Sequence, residues 1–155
     1  MQKQVIGRDT KTVSEPAWLD LESEAAVEIT SEDPARPIES ALRLDGGTGW
    51  QAGEPGPQTI RIVFNQPQRI SHVRLRFTEM KAERTQEFVL RWGKDRSGPL
   101  HDIARQQWNF SPQGSTVELE DYRVNLDGAL ILELKLNPDV TGAKAFASLD
   151  EFRVA

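Results

Sequence analysis

The sequence contains no cysteine. Disulfides, thiolate nucleophiles and zinc sites of the finger or ribbon kind are excluded together. Its two histidines, His72 and His101, stand 29 residues apart and leave little for a histidine-rich metal site. No apolar run exceeds a few residues, whereas a bilayer-spanning helix needs about 20, so a membrane is not an expected partner. The opening residues Met1-Gln2-Lys3-Gln4-Val5-Ile6-Gly7 carry no apolar signal core, and the expected compartment is the cytoplasm. Catalytic signatures are missing too. No Gly-x-Ser-x-Gly, His-Glu-x-x-His, P-loop or dinucleotide fingerprint occurs. A glycosidase carboxylate pair among 24 acids has no positive support, and the chain is expected not to be an enzyme.

What is present describes one folded domain. At 155 residues, folding buries about two-thirds of the surface that the unfolded chain exposes, so no covalent staple is required. An apolar fraction of 37% beside a charged fraction of 28% places the chain among soluble globular proteins. The net charge of −5 is uneven: residues 1–60 sum to −6, residues 61–108 to +5 and residues 109–155 to −4. An acidic total argues against nucleic acid, whose phosphates repel it. In the basic stretch arginines alternate with apolar residues, as in Val73-Arg74-Leu75-Arg76-Phe77, which describes one solvated sheet face.

The chain reads as strands throughout. Residues 1–16 form a polar leader docking on a domain that spans 17–155. Period-two alternation starts at Trp18–Leu21 and Ala26–Thr30, Ile38–Leu42 fits one helical turn, and a loop rich in glycine and proline runs from Asp45 to Pro57. Strands follow at Thr59–Phe64, Ile70–Thr78, Gln86–Trp92, Ile103–Trp108, Ser115–Leu119, Tyr122–Leu126, Ala129–Leu136 and Phe146–Val154. About nine or ten short strands with no long helix indicate an all-β antiparallel sandwich of the jelly-roll kind. Expected core positions are Ile60, Ile62, Phe64, Val73, Leu75, Phe77, Phe88, Leu90, Leu132 and Leu134.

The run Ala26–Glu32, followed by Ser40–Trp50 with its Asp45-Gly46, Thr48 and Trp50, resembles the opening of discoidin, or coagulation-factor type C, domains. Ala147–Val154 resembles their closing strand, and Gln86–Trp92, Asp95–Gly98 and Ile103 follow their strand, hairpin and return. The resemblance spans residues 25–155. It implies the galactose-binding-like jelly roll shared with bacterial carbohydrate-binding modules. It also implies a structural calcium ion, for which Asp45, Thr48 and Glu151 are the matching positions. A calcium site takes six to eight oxygen ligands. The loop is shorter than the family's usual spacing, with a glycine where a second Asp or Asn often sits. A metal-free reading fits the same residues: Asp45 caps the Gly-Gly turn and Thr48 bonds its own backbone.

If 59–64 run toward one end of the sandwich, 70–78 return, 86–92 go out and 101–108 return. The connections at 45–58, 79–85 and 109–114 then gather at one end. That end holds Glu79, Arg84, Gln86, Trp108, Asn109 and Phe110, with Trp50 beside them. Flat apolar rings beside planar hydrogen-bonding groups suit a sugar, whose C–H faces stack while its hydroxyls pair. Trp50 and Trp108 flank strands and fit the core equally well, whereas Phe110, beside Ser111-Pro112-Gln113-Gly114, is expected at the surface. Two functions follow: a non-catalytic module for a glycan or other small polar ligand, or an intracellular assembly domain that holds a protein partner. An open groove with exposed rings favours the first, and a large apolar patch elsewhere the second.

Overall fold

The computed structural model describes residues 1–2 and 15–155, so most of the leader lies outside the described residues. Strand accounts for 54% of the structure and helix for 6%, as an antiparallel sandwich requires. The elements are α1 (Leu21–Glu24), β1 (Ala25–Ile29), α2 (Glu39–Leu42), β2 (Trp50–Gln51), β3 (Gln58–Thr78), β4 (Arg84–Gly93), β5 (His101–Phe110), β6 (Val117–Asn137), β7 (Ser148–Leu149) and β8 (Glu151–Val154). No helix among the described residues is long and apolar enough to cross a membrane.

Two strands carry the architecture. β3 and β6, 21 residues each, pair antiparallel along most of their length, from Gln58↔Leu136 to Thr78↔Val117. The expected breaks at 65–69 in one and at 120–121 and 127–128 in the other are not strand ends. Between Val63 and His72 the register shifts repeatedly, with exposed Asn65, Gln66 and Pro67 at the corner. Bulged residues bend a ladder and let one strand pass from one sheet to the next. The pleat shows the same slip: the core face of β3 moves from Ile60, Ile62 and Phe64 to Val73, Leu75 and Phe77, from even positions to odd. An odd insertion does this without turning the apolar side outward.

The first sheet is ordered β1, β3, β6, β4, β5, using the first half of β3 and the second half of β6. The other halves, with β8 beside β3, form the second sheet. Phe77 of the second stacks on Phe88 of the first, ring centroids 5.6 Å apart, although their strands are not hydrogen-bonded neighbours. All ten expected core residues are buried, none more than 2% exposed. Leu21 from α1 and Ala41 and Leu42 from α2 join the same core, so the expected strand at Trp18–Leu21 is replaced by a short helical turn at its end.

The outward arginines behave as a solvated sheet face. Arg61 bridges Glu133 at 2.6 Å and Glu28 at 3.1 Å on the first sheet. On the second, Arg74 meets Glu15 at 2.9 Å and lies 5.0 Å over the Trp18 ring. That contact fixes the chain just before the domain on the outer surface.

Candidate functional site

Backbone hydrogen bonds show which loops share an end. Glu79 N–H donates to Thr116 O at 2.8 Å, Val140 N–H to Thr85 O at 2.8 Å, Gly56 N–H to Ala145 O at 3.0 Å and Ala52 N–H to Ala147 O at 2.9 Å. The connections 52–57, 79–83, 111–116 and 138–147 therefore meet at the loop end, and the bulged corners of β3 and β6 lie at the other. The sequence reading placed the first three there. It missed 138–147, which one further crossing of the sandwich brings to the same end.

A cavity of about 540 Å³ opens among these loops. Its walls include Glu79, Met80, Lys81 and Arg84 from one side, Lys144 and Phe146 from another, and Arg36, Gln51 and Asp150 at the base of the β2–β7 ribbon. Phe146 and Met80 are exposed, 42% and 67%, and supply its apolar surface.

Glu79 shapes the loop. Its Oε1 accepts from Arg84 Nε at 2.8 Å, and its Oε2 accepts the backbone N–H groups of Lys81 at 3.0 Å and Ala82 at 3.2 Å. Burial pushes its carboxyl up, but the guanidinium and two N–H donors outweigh this and hold it below the ordinary carboxylate range. Arg84 forms the floor. Its side chain is almost fully buried, its guanidinium carbon lies 4.8 Å over the Phe110 ring, and its Nη1 donates to Gln86 Oε1 and Pro138 O. Its Nη2 is buried with no partner among the described residues. A desolvated guanidinium with an unpaired N–H group is costly.

Below the floor the polar layer continues inward. Gln86 is fully buried and donates from Nε2 to Glu118 Oε1 at 3.0 Å. Burial, with Glu120 beside it, pushes the Glu118 carboxyl up to about 9, so it carries its proton at neutral pH. Trp108 lies half-buried opposite Gln86 in the β4–β5 ladder, its Nε1 shielded and without a partner among the described residues.

The six expected ligand residues thus divide. Glu79 and Arg84 line the cavity, whereas Gln86 and Trp108 belong to the layer beneath it. Phe110, expected at the surface, is fully buried: as the partner of Arg84 at the end of the β4–β5 ladder it faces the core. Asn109, one residue away in a pleated strand, faces the opposite side and accepts from Thr85 Oγ1 at 2.7 Å. Trp50 is core, its Nε1 donating to Ser31 O at 3.1 Å. Alternation along β5 carries the signal for Phe110, because a position two residues from Trp108 shares its face.

The three residues matched to a calcium site do not line the cavity. Asp45 and Thr48 are exposed, and the Thr48 carbonyl accepts Arg36 Nη2 at 2.6 Å and Nε at 3.1 Å. Glu151 pairs with Arg153 at 3.4 Å, and Arg153 Nη1 donates to Arg43 O at 3.2 Å. Among the described residues no cluster of three or more His, Asp or Glu side chains is placed to hold a metal. Two guanidinium groups thus serve carbonyl oxygens of this segment, those of Thr48 and Arg43. The loop does approach the closing strand. A Cβ on Gly49, at φ +78°, would lie 2.8 Å from Leu149 O.

No protein-family model and no curated protein matches the chain. Solved structures do. The family 32 carbohydrate-binding module of Clostridium perfringens NanJ, in complex with galactose, superposes with a TM-score of 0.61 at 19% identity, covering 88% of this chain and 96% of that one. A module of the same family from Clostridium perfringens, in complex with GalNAc-β-1,3-galactose, gives 0.64 at 20% identity, covering 89% and 99%. Chitosan-binding module 1 of a Paenibacillus sp. IK-5 chitosanase/glucanase gives 0.63 at 15% identity, covering 88% and 98%. The chain has the galactose-binding-like jelly-roll fold of these modules.

Proposed function

We propose that the chain is a non-catalytic glycan-binding module whose ligand sits in the loop-end cavity. The observation that carries this reading is the exposed Phe146 ring beside the buried, partly unpaired guanidinium of Arg84 in one cavity. A pyranose presents an apolar C–H face and a rim of hydroxyls, and this wall offers a ring for the first and polar groups for the second. The likeness to modules solved with galactose and with GalNAc-β-1,3-galactose supports it. The cavity is poorly suited to hydrolysis. Glu79 is held ionised by three donors, and Asp150 accepts from Thr78 Oγ1 and faces Arg76 at 3.8 Å, so neither carboxyl is placed as a free general acid.

A glycan array followed by calorimetry tests the reading. Phe146→Ala is expected to weaken the best ligand about 10-fold, the value of one good ring contact, with an unchanged melting temperature. Binding that survives Phe146→Ala at full strength would move the ligand away from this cavity.

A further inference from the structure

The cavity is a cationic spot on an acidic chain. Four basic side chains line it, Arg36, Lys81, Arg84 and Lys144, against two carboxylates, Glu79 and Asp150, whereas the chain as a whole carries −5. Arg36 and Lys144 come from the two segments of the sequence that are net acidic. The imbalance is therefore a product of the fold.

Neither carboxylate neutralises the basic groups around the opening. Glu79 is occupied by Arg84 and the backbone of its own loop, and Asp150 by Thr78 and Arg76. Among the described residues Arg36 donates to neutral oxygens, the Thr48 carbonyl and Gln51 Oε1. Among the described residues Lys81 and Lys144 form no ion pair. On the floor Arg84 Nη2 is buried and unpartnered, although its side chain is almost fully enclosed. Unneutralised cations around one partly enclosed space repel one another, and an anion that enters is stabilised by all of them. A neutral sugar leaves that repulsion in place.

From this we infer that the ligand is an acidic glycan, with a carboxylate or sulfate group seated among Arg36, Lys81 and Lys144 while a sugar ring lies on Phe146. The inference rests on the glycan-binding reading and names the class of sugar within it.

The experiment compares three probes by calorimetry at low salt: an oligogalacturonate, a sulfated galacto-oligosaccharide and the neutral galacto-oligosaccharide of the same length. At least one acidic probe is expected to bind about 10-fold or more tighter than the neutral one, and raising salt is expected to erode that advantage. Which acidic probe wins distinguishes carboxylate from sulfate. Lys81→Met with Lys144→Met is expected to remove the advantage of the acidic probe over the neutral one, and Lys81→Arg with Lys144→Arg to retain it. Polyglutamate, an anion without a sugar ring, is expected to compete more weakly than the acidic probes. Equal binding of acidic and neutral sugars, unchanged acidic binding in the double Met variant, or competition by polyglutamate as strong as that of the acidic sugars would each overturn the acidic-glycan inference and leave the glycan reading standing. Failure of acidic and neutral glycans alike to bind the folded wild-type protein would overturn both.

Discussion

The two ends of the sandwich close by different means. At the corner end β3 and β6 bend together, the register slips through bulges, and the space inside is filled by Ile70, Leu126 and Ala129, all buried. Specificity there is a matter of volume and pleat phase. At the loop end four connections meet, and what holds them is polar. Arg84 ties β4 to Glu79 and Pro138, Arg36 ties the first long loop to the β2–β7 ribbon, and Arg153 ties β8 to Arg43. Apolar filling makes a rigid, anonymous end. A buried layer of guanidinium and amide groups makes an end that holds its shape through directed hydrogen bonds.

Substitutions break this comparison at either end, by different mechanisms. Ile70→Ala, at the corner, is expected to cost about 2–5 kcal/mol in urea unfolding through lost contacts and a cavity. The loop-end counterpart, Arg84→Met, is expected to cost about 3 kcal/mol, because Gln86 Oε1 and Pro138 O lose their donor and Glu79 its cation. A loss below about 1 kcal/mol for Arg84→Met would show that the polar layer is dispensable.

A matched pair of glycines separates strain from crowding. Gly49 at the loop end and Gly128 at the corner have nearly the same backbone angle, φ +78° and +77°. A Cβ on Gly128 meets nothing within 4 Å, whereas on Gly49 it would press against the backbone of Leu149 and Asp150. Gly128→Ala is expected to cost about 1 kcal/mol from the angle alone, and Gly49→Ala about 1–2 kcal/mol more. Equal costs in chemical denaturation would mean that the first loop does not seat tightly on the closing strand.

The protonated carboxyl under the cavity makes the loop end sensitive to pH in a way the corner is not. A carboxyl raised in the folded state binds its proton more tightly there than in the unfolded chain. Its contribution is fully present below the ordinary value of 4.5 and is lost as pH rises toward about 9. Glu118→Gln is expected to make the fall in stability from pH 6 to 9 shallower by about 1 kcal/mol per pH unit. Parallel curves for the two proteins would sink this account. Glu79 and Asp139 slope the other way: their lowered values stabilise above the ordinary range and are lost as pH falls through it.

The smallest expected effect is none. With Arg36 and Arg153 serving the loop oxygens, the melting temperature is expected to stay the same in chelator and in millimolar calcium. A rise of several degrees would assign calcium to Asp45, Thr48 and Glu151.

Alternation made the core legible. Ile60, Phe77, Leu90 and Leu134 each sit on the face their spacing assigned, because a half-buried strand has only two faces to choose between. The continuity of β3 and β6 was hidden, since Asn65-Gln66-Pro67-Gln68 has the composition of a turn whether the chain reverses within one sheet or bends into the next. Counting strand directions placed Glu79 and Arg84 at the loop end, where they line the cavity, and did not reach Phe146, Lys144 and Arg36, which line it too. Nothing local marks Phe146 as exposed. Its position depends on the loop 138–147 closing over residues brought from far away in the chain.

The long β3–β6 ladder also bears on how the molecule is made. Its pairs join residues as distant as Gln58 and Leu136, while β4 and β5 between them pair locally through a short hairpin. The hairpin needs little loop closure and is expected to form early; β3 must wait for β6. Until β6 arrives, the apolar β3 presents an unpaired edge, and a nascent or refolding chain in that interval is most exposed to association with its own copies.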